Sequence, residues 1–230
     1  THPPCYLNWA YSDSWMARTR NNIGYSVGHE FMAPTLGVIN DWRSQHGLPS
    51  VRHTGDLFSR QAHIVQGCPE FDFPLTPEPW RHYGGCLSCD FDSRPQIDFP
   101  WSQLDGRPIV FVSLGTVSHG RNLQMLKLVA RACAKLPVQV VLTRGNWLRG
   151  QCMKDARKED FAGTPIVVDF APQLAILKRA SLMVNHGGLN SVLEAIAHGV
   201  PQVICPRTAD QPGVSARAVR AGVALTHPFG

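Results

Sequence analysis

Between Phe170 and Gln211 the chain sets polar and glycine clusters at short intervals: Phe170-Ala171-Pro172-Gln173, His186-Gly187-Gly188-Leu189-Asn190-Ser191, Glu194, Gly199-Val200-Pro201 and Asp210-Gln211. The middle cluster has the chemistry of an anion site. Gly187 and Gly188 let backbone N–H groups approach a ligand, Asn190 and Ser191 offer hydrogen bonds to phosphate oxygens, and a helix from Ser191 would aim its positive end at the same spot. His186 adds an imidazole. Asp210 and Gln211 put a carboxylate beside an amide, groups that can grip vicinal hydroxyls in pairs, ahead of Pro212 as a good first helical residue. Phe170 offers a face for stacking on a base. Upstream, Ser113-Leu114-Gly115-Thr116 repeats the small-residue pattern that admits a phosphate at a strand-to-helix turn.

Each cluster also has a purely structural use. Tight turns favour Gly and Ser whatever they bind. Ser191 and Glu194 have the spacing of a capping box. His186 could be a satisfied structural histidine, Phe170 a core residue, and Asp210-Gln211 an ordinary turn before a helix. What favours a shared site is position: every cluster follows an apolar run that reads as a strand, and open α/β sheets bind ligands beyond the carboxyl ends of their strands.

The elements needed to hold these clusters are legible after Arg107. Strands are predicted over 109–112, 138–142, 166–168, 182–184, 202–205 and 223–225, and helices over 123–134, 174–179, 191–197 and 214–220. Apolar runs buried on both faces, alternating with helices, specify an α/β class with a doubly wound, Rossmann-like parallel sheet. Residues 145–163 read as a charged, glycine-punctuated loop with a short helix. The first hundred residues are less regular. Pro34, Leu36, Ile39 and 40–43 read as a helix stopped by Gly47 and Pro49. Residues 62–65 form a short strand, 71–80 carry three prolines and must be extended, and 91–105 resemble a linker. The division expected is 1–105 and 106–230.

Bulk composition narrows the function classes. The 230 residues are 43% apolar, enough for a sizeable core, and no apolar stretch approaches the roughly 20 residues a membrane span requires. Residues 1–105 hold 7 Arg and no Lys against 11 Asp and Glu, a net −4, while 106–230 hold 15 basic against 6 acidic, a net +9. A basic second half suits an anionic ligand such as a diphosphate; acidic lipid, as a peripheral membrane contact, is the other use of such a face. Nucleic acid is not expected, because the basic residues are dispersed without an aromatic stripe. Seven cysteines, most isolated in sequence, fit reduced thiols and a cytoplasmic setting. Cys86-Leu87-Ser88-Cys89 with His82 and Cys68 could be read as a zinc site, but a second close pair is missing, so no metal is expected.

Together the clusters resemble the donor-binding signature of nucleotide-sugar glycosyltransferases of the UDP-glucuronosyl/glucosyltransferase family, built on the GT-B fold. Ser113-Leu114-Gly115-Thr116, and Asn40-Asp41-Trp42-Arg43 with Gly47-Leu48-Pro49, are similar to bacterial members acting on lipophilic acceptors such as carotenoids, sterols or macrolides. The resemblance implies an inverting, metal-independent hexosyltransferase that uses a UDP or dTDP sugar as co-substrate, without a cofactor. It further implies that Phe170 stacks on the base, where many members have Trp, and that Ala171 holds it through the main chain. His186, Asn190 and Ser191 would bind the diphosphate, Glu194 the ribose, and Asp210 with Gln211 the transferred sugar. Ser113, Gly115, Thr116, Gln173, Gly187 and Gly188 complete the expected donor site. On this reading 1–105 is the tail of an acceptor domain, the chain is a fragment, and the general base lies upstream of Thr1. The alternative is a nucleotide-sugar-binding module without activity of its own, the donor half of a two-subunit transferase or a sensor. A cell-wall or glycolipid transferase sharing the fold is a further rival, though its usual ending differs from Asp210-Gln211.

Overall fold

The computed structural model describes residues 2–59, 61–88, 94, 96–115, 122–145 and 157–227. The second half is a six-stranded parallel sheet of β3 (Ile109–Ser113), β4 (Gln139–Thr143), β5 (Ile166–Val168), β6 (Ala180–Asn185), β7 (Gln202–Ile204) and β8 (Ala224–Thr226), arranged β5-β4-β3-β6-β7-β8. Counted within the sheet, that is the 3-2-1-4-5-6 order of doubly wound dinucleotide-binding sheets. Connections run one way from β3 and the other way from β6, so a crevice must open between their carboxyl ends. Its helices are α2 (Asn122–Cys133), α3 (Gln173–Leu177), α4 (Leu189–Ala197) and α5 (Gln211–Arg220).

Period-two side-chain alternation explains why the strands read as continuous apolar runs. Along β3, Val110 and Val112 enter a core with Met125, Leu126 and Ala130 of α2. Ile109 and Phe111 point to the opposite core, with Ile176 and Leu177 near the end of α3 and Ala195 of α4. Phe111, Val112, Val141 and Leu142 are at most 1% exposed, so polar substitution there would strand an unpaired group in either core.

The first half holds α1 (Trp15–Gln45), β1 (His63–Val65) and β2 (Arg81–Tyr83), the strands pairing in parallel. Here the structure corrects the sequence reading. The helix does not begin at Pro34; it begins at Trp15, about 28 Å earlier along its axis or roughly five turns, capped by Ser14, whose Oγ accepts from Ala17 N at 3.2 Å. The helix buries only Ala17, Asn21, Gly24 and Leu36, so its first half has little core-facing surface to mark it. Its end falls where expected, before Gly47 at φ +65°. Residues 96–105, part of the stretch expected to be a linker, are packed against the sheet. Phe99 is buried among Ile109 and Val141, and Gln139 ties this stretch to β4 by accepting from Asp105 N and donating to Gln103 O.

The two halves meet along α5. Gly213 N donates to Cys5 O at 2.8 Å, Arg217 pairs with Asp72 at 2.8 Å, and Phe71 shares a core with Val192, Leu193, Val214 and Ala218. Among the described residues no helix is long and apolar enough to cross a membrane. The described cysteines Cys5, Cys68, Cys86, Cys133 and Cys205 are free thiols.

Candidate functional site

A cleft of about 470 Å³ opens at the carboxyl edge of the sheet, over β3 and β6. Its formation is local in origin. β3 ends at Ser113 and the chain turns through Gly115 at φ +81°; β6 ends at Asn185 and turns through Gly187 at φ +86°. Left-handed backbone at both positions favours glycine and bends the chain away from the strand end. Gly188 then caps α4 without a side-chain bond, leaving the N–H groups of the first turn directed at the cleft.

His186 lies between these turns. A Cβ on Gly115 would fall 2.7 Å from its Nε2, and one on Gly188 would fall 2.6 Å from the same atom. The two glycines therefore make the room the imidazole occupies. Burial pushes the His186 pKa below the ordinary imidazole range, Ser113 main chain and the Asp210 carboxylate pull it back in part, and Arg207 lowers it further. Burial thus favours the neutral ring, which can donate one hydrogen bond and accept another. Its Nδ1 is buried with no hydrogen-bond partner among the described residues.

The structure brings Ser113, Gly115, Phe170, Ala171, Gln173, His186, Gly188, Asn190 and Ser191 to the cleft wall. Phe170, 39% exposed, stands just beyond β5 with its ring accessible for stacking. Gln173 opens α3 and donates from Nε2 to Glu194 Oε2 at 2.6 Å and to Ser191 Oγ at 3.3 Å, joining the turn after β5 to α4. Glu194 lies behind the wall, 1% exposed, with its other oxygen paired to Arg94 at 2.5 Å. The helix starts at Leu189 rather than Ser191, so Ser191 and Glu194 do not form the capping box their spacing suggests. A Cβ on Gly187 would fall 3.0 Å from Ile204 Cγ2 and 3.1 Å from Gln211 O, so a side chain there has no room. Gln211 Oε1 accepts from Arg207 N at 3.0 Å and Thr208 N at 3.2 Å, closing its own loop. Asp210 is solvent-exposed, outside the wall yet near enough for its charge to act on His186. Thr116 lies outside the described residues.

Four contributors escaped the sequence reading. Asn185 is fully buried; its Oδ1 accepts from Gly187 N at 2.8 Å and its Nδ2 donates to Gln202 Oε1 at 2.8 Å, so an amide pair fixes the turn that carries His186. Both residues are polar interruptions at the ends of apolar strands, a signal that was present. Asp169 lines the cleft and pairs with Arg144 at 2.7 Å. Gln66 enters the wall from the first half, with nothing in its local sequence to mark it. Cys86 Sγ lies 3.5 Å from Ser88 Oγ, Cys89 is outside the described residues, and no group of three His, Cys, Asp or Glu among the described residues could hold a metal ion.

Comparison with known proteins agrees with this architecture. Residues 21–229 match the family model for UDP-glucoronosyl and UDP-glucosyl transferase. The chain is 31% identical over 214 residues to a zeaxanthin glucosyltransferase of Pseudescherichia vulneris, covering 93% of this chain and 50% of that protein. It is also 31% identical over 236 residues to 4'-demethylrebeccamycin synthase of Lentzea aerocolonigenes, covering 96% of this chain and 52% of that one. Among solved structures, the glycotransferase of kitacinnamycin superposes with a TM-score of 0.66 at 24% identity, over 96% of this chain and 56% of that chain. The glycosyltransferase VinC in complex with DTDP gives a TM-score of 0.57 at 26% identity, over 83% of this chain and 46% of that chain. The chain spans about half the length of the curated relatives it matches.

Proposed function

Because the chain belongs to the UDP-glucoronosyl and UDP-glucosyl transferase family, we propose that it carries the donor site of an inverting hexosyltransferase acting on a lipophilic hydroxyl compound. The observation that supports this most is the meeting of two glycine turns, one imidazole and one helix N-terminus in a single cleft at the sheet's carboxyl edge. Residues 106–230 form the nucleotide-sugar domain and 1–105 the tail of the acceptor domain. Two relatives are named zeaxanthin glucosyltransferase and 4'-demethylrebeccamycin synthase, and these names motivate the lipophilic acceptor. Free thiols suit a reducing, cytoplasmic setting.

The chemistry is a single displacement. An acceptor hydroxyl oxygen forms a bond to the anomeric carbon as the bond from that carbon to the diphosphate oxygen breaks, and the hydroxyl proton passes to a general base. Charge grows on the leaving diphosphate. The N–H groups at the start of α4 and the Gly115 turn, with an N–H of His186, are oriented in advance to meet it, which spares the reorganisation that water would require. Phe170 holds the base, and the site needs no metal because these dipoles supply the positive potential.

Titrating the protein with UDP and dTDP while recording its melting temperature tests the reading. A ligand at 100 times its Kd adds about 2.7 kcal/mol, a shift of several degrees. Sugar transfer by the full-length gene product separates an enzyme from a binding module. No shift with either nucleotide at millimolar concentration refutes the donor site.

A further inference from the structure

The cleft wall is built from the second half of the chain with one exception among its described residues, Gln66. This residue follows β1, and the chain then turns through Gly67 at φ +98°. Gly67 exchanges hydrogen bonds with Gly85, at 2.8 Å and 3.0 Å. A Cβ on Gly67 would touch Leu193 Cδ2 and Phe71 Cδ1, each at 3.6 Å. Leu193 belongs to α4, the helix whose N-terminus faces the cleft. The turn is therefore seated on α4 from the other half, and it delivers the Gln66 amide to the donor side.

Gln66 Oε1 is buried and has no hydrogen-bond partner among the described residues. Folded proteins pair nearly all buried carbonyl oxygens, so an unpaired one in the wall of a ligand cleft calls for a donor on the ligand. A diphosphate at neutral pH presents acceptors only. Hydroxyl groups present donors, and the neighbouring Gln66 amide nitrogen can return a hydrogen bond to the next hydroxyl along. We propose that Gln66 is a recognition residue for a hydroxyl of the bound nucleotide sugar, on the ribose or on the transferred hexose, and that through it the first half of the chain reads the donor. The inference rests on the donor-site reading above. It gives the bound molecule contacts with both halves, His186 and α4 from one and Gln66 from the other.

Gln66→Met keeps the length of the side chain and removes its hydrogen bonds. Calorimetric titration of wild type and variant with UDP and UDP-glucose, and in parallel with dTDP and dTDP-glucose, is the test. Loss of one neutral hydrogen bond is expected to weaken binding about 3- to 10-fold. Weaker binding of the sugar nucleotide alone puts the hydroxyl on the hexose; equal weakening of both ligands puts it on the ribose. Either supports the proposal, and unchanged affinity for all four ligands overturns it. The ligand-free melting temperature is the control for a merely structural amide. It should stay level or rise, because the variant removes an unpaired buried acceptor; a fall of several degrees overturns the proposal. Wild-type protein that binds none of the four refutes the donor site itself, a result distinct from a wild type that binds and a Gln66→Met variant that binds equally well.

Discussion

Alanine at position 188 should move the imidazole out of the cleft while leaving the sheet folded. Gly188 has φ −63° and ψ 129°, backbone that alanine adopts freely, so no left-handed strain enters as it would at Gly115. The new methyl would sit 2.6 Å from His186 Nε2 and 2.9 Å from Cε1, roughly 1 Å inside normal contact distance. The ring tip can rotate away, so the ring moves and the backbone stays. Two costs follow. Alanine is a poorer helix cap than glycine by about 1 kcal/mol, which lowers the melting temperature slightly. Losing an imidazole hydrogen bond to a charged phosphate removes about 1.5–3 kcal/mol of binding, a roughly 10- to 150-fold rise in Kd for UDP or dTDP. The decisive measurement is a double-mutant cycle by calorimetry. His186→Ala alone should weaken binding by a similar factor, and adding Gly188→Ala to it should cost less than about 3-fold more, because the clash has lost its partner. Losses that simply multiply in the double variant, or a Gly188→Ala protein that binds like wild type, would refute the role given to His186.

Two further outcomes concern protons. Burial holds the His186 pKa below the ordinary imidazole value, and an adjacent anion would raise it; binding should therefore take up a proton and tighten as pH falls from about 8 to 6. Calorimetry in buffers of different ionisation heat reads that uptake, and the part due to the ring should vanish in His186→Ala. At the joint between the halves, burial works against the Asp72 carboxylate, but the Arg217 bond and charge, the Phe73 N–H and the Tyr83 hydroxyl outweigh it and keep its pKa below the usual range. Such a group stabilises the fold fully above its unfolded pKa of about 3.9 and loses that contribution as pH falls through the lower folded value. Urea denaturation should show Asp72→Asn less stable by about 1–3 kcal/mol at pH 7, with a flatter loss of stability below about pH 4 than wild type.

Where the sequence reading succeeded, the controlling signal was short. The runs at 109–112, 138–142 and 166–168 are largely apolar on both faces because both faces of this sheet are covered, and each is long enough to be seen in a single window. Where it failed, the signal was spread out or missing. In the first half of helix α1, Ile23, Val27 and Phe31 recur at helical spacing but stand exposed, so the apolar period there marks no face turned to a core. The Asn185 and Gln202 pair could have been noticed, since each is a lone polar residue at a strand end, but only the sheet register brings them together.

The amino-acid sequence by itself determined the doubly wound class, the two glycine turns after β3 and β6, and the placement of His186 and the start of α4 at a strand end, because each depends on backbone preferences and side-chain periodicity within a few residues. Tertiary structure alone decided how far apart in the chain the partners could be. It placed Arg94 on Glu194, Asp72 on Arg217 and Gln66 in the cleft wall, turned Gln211 into its own loop, and set His186 between Gly115 and Gly188. Such pairings arise from the packing of distant segments under one shared core, and no local stretch of residues encodes which distant group will arrive.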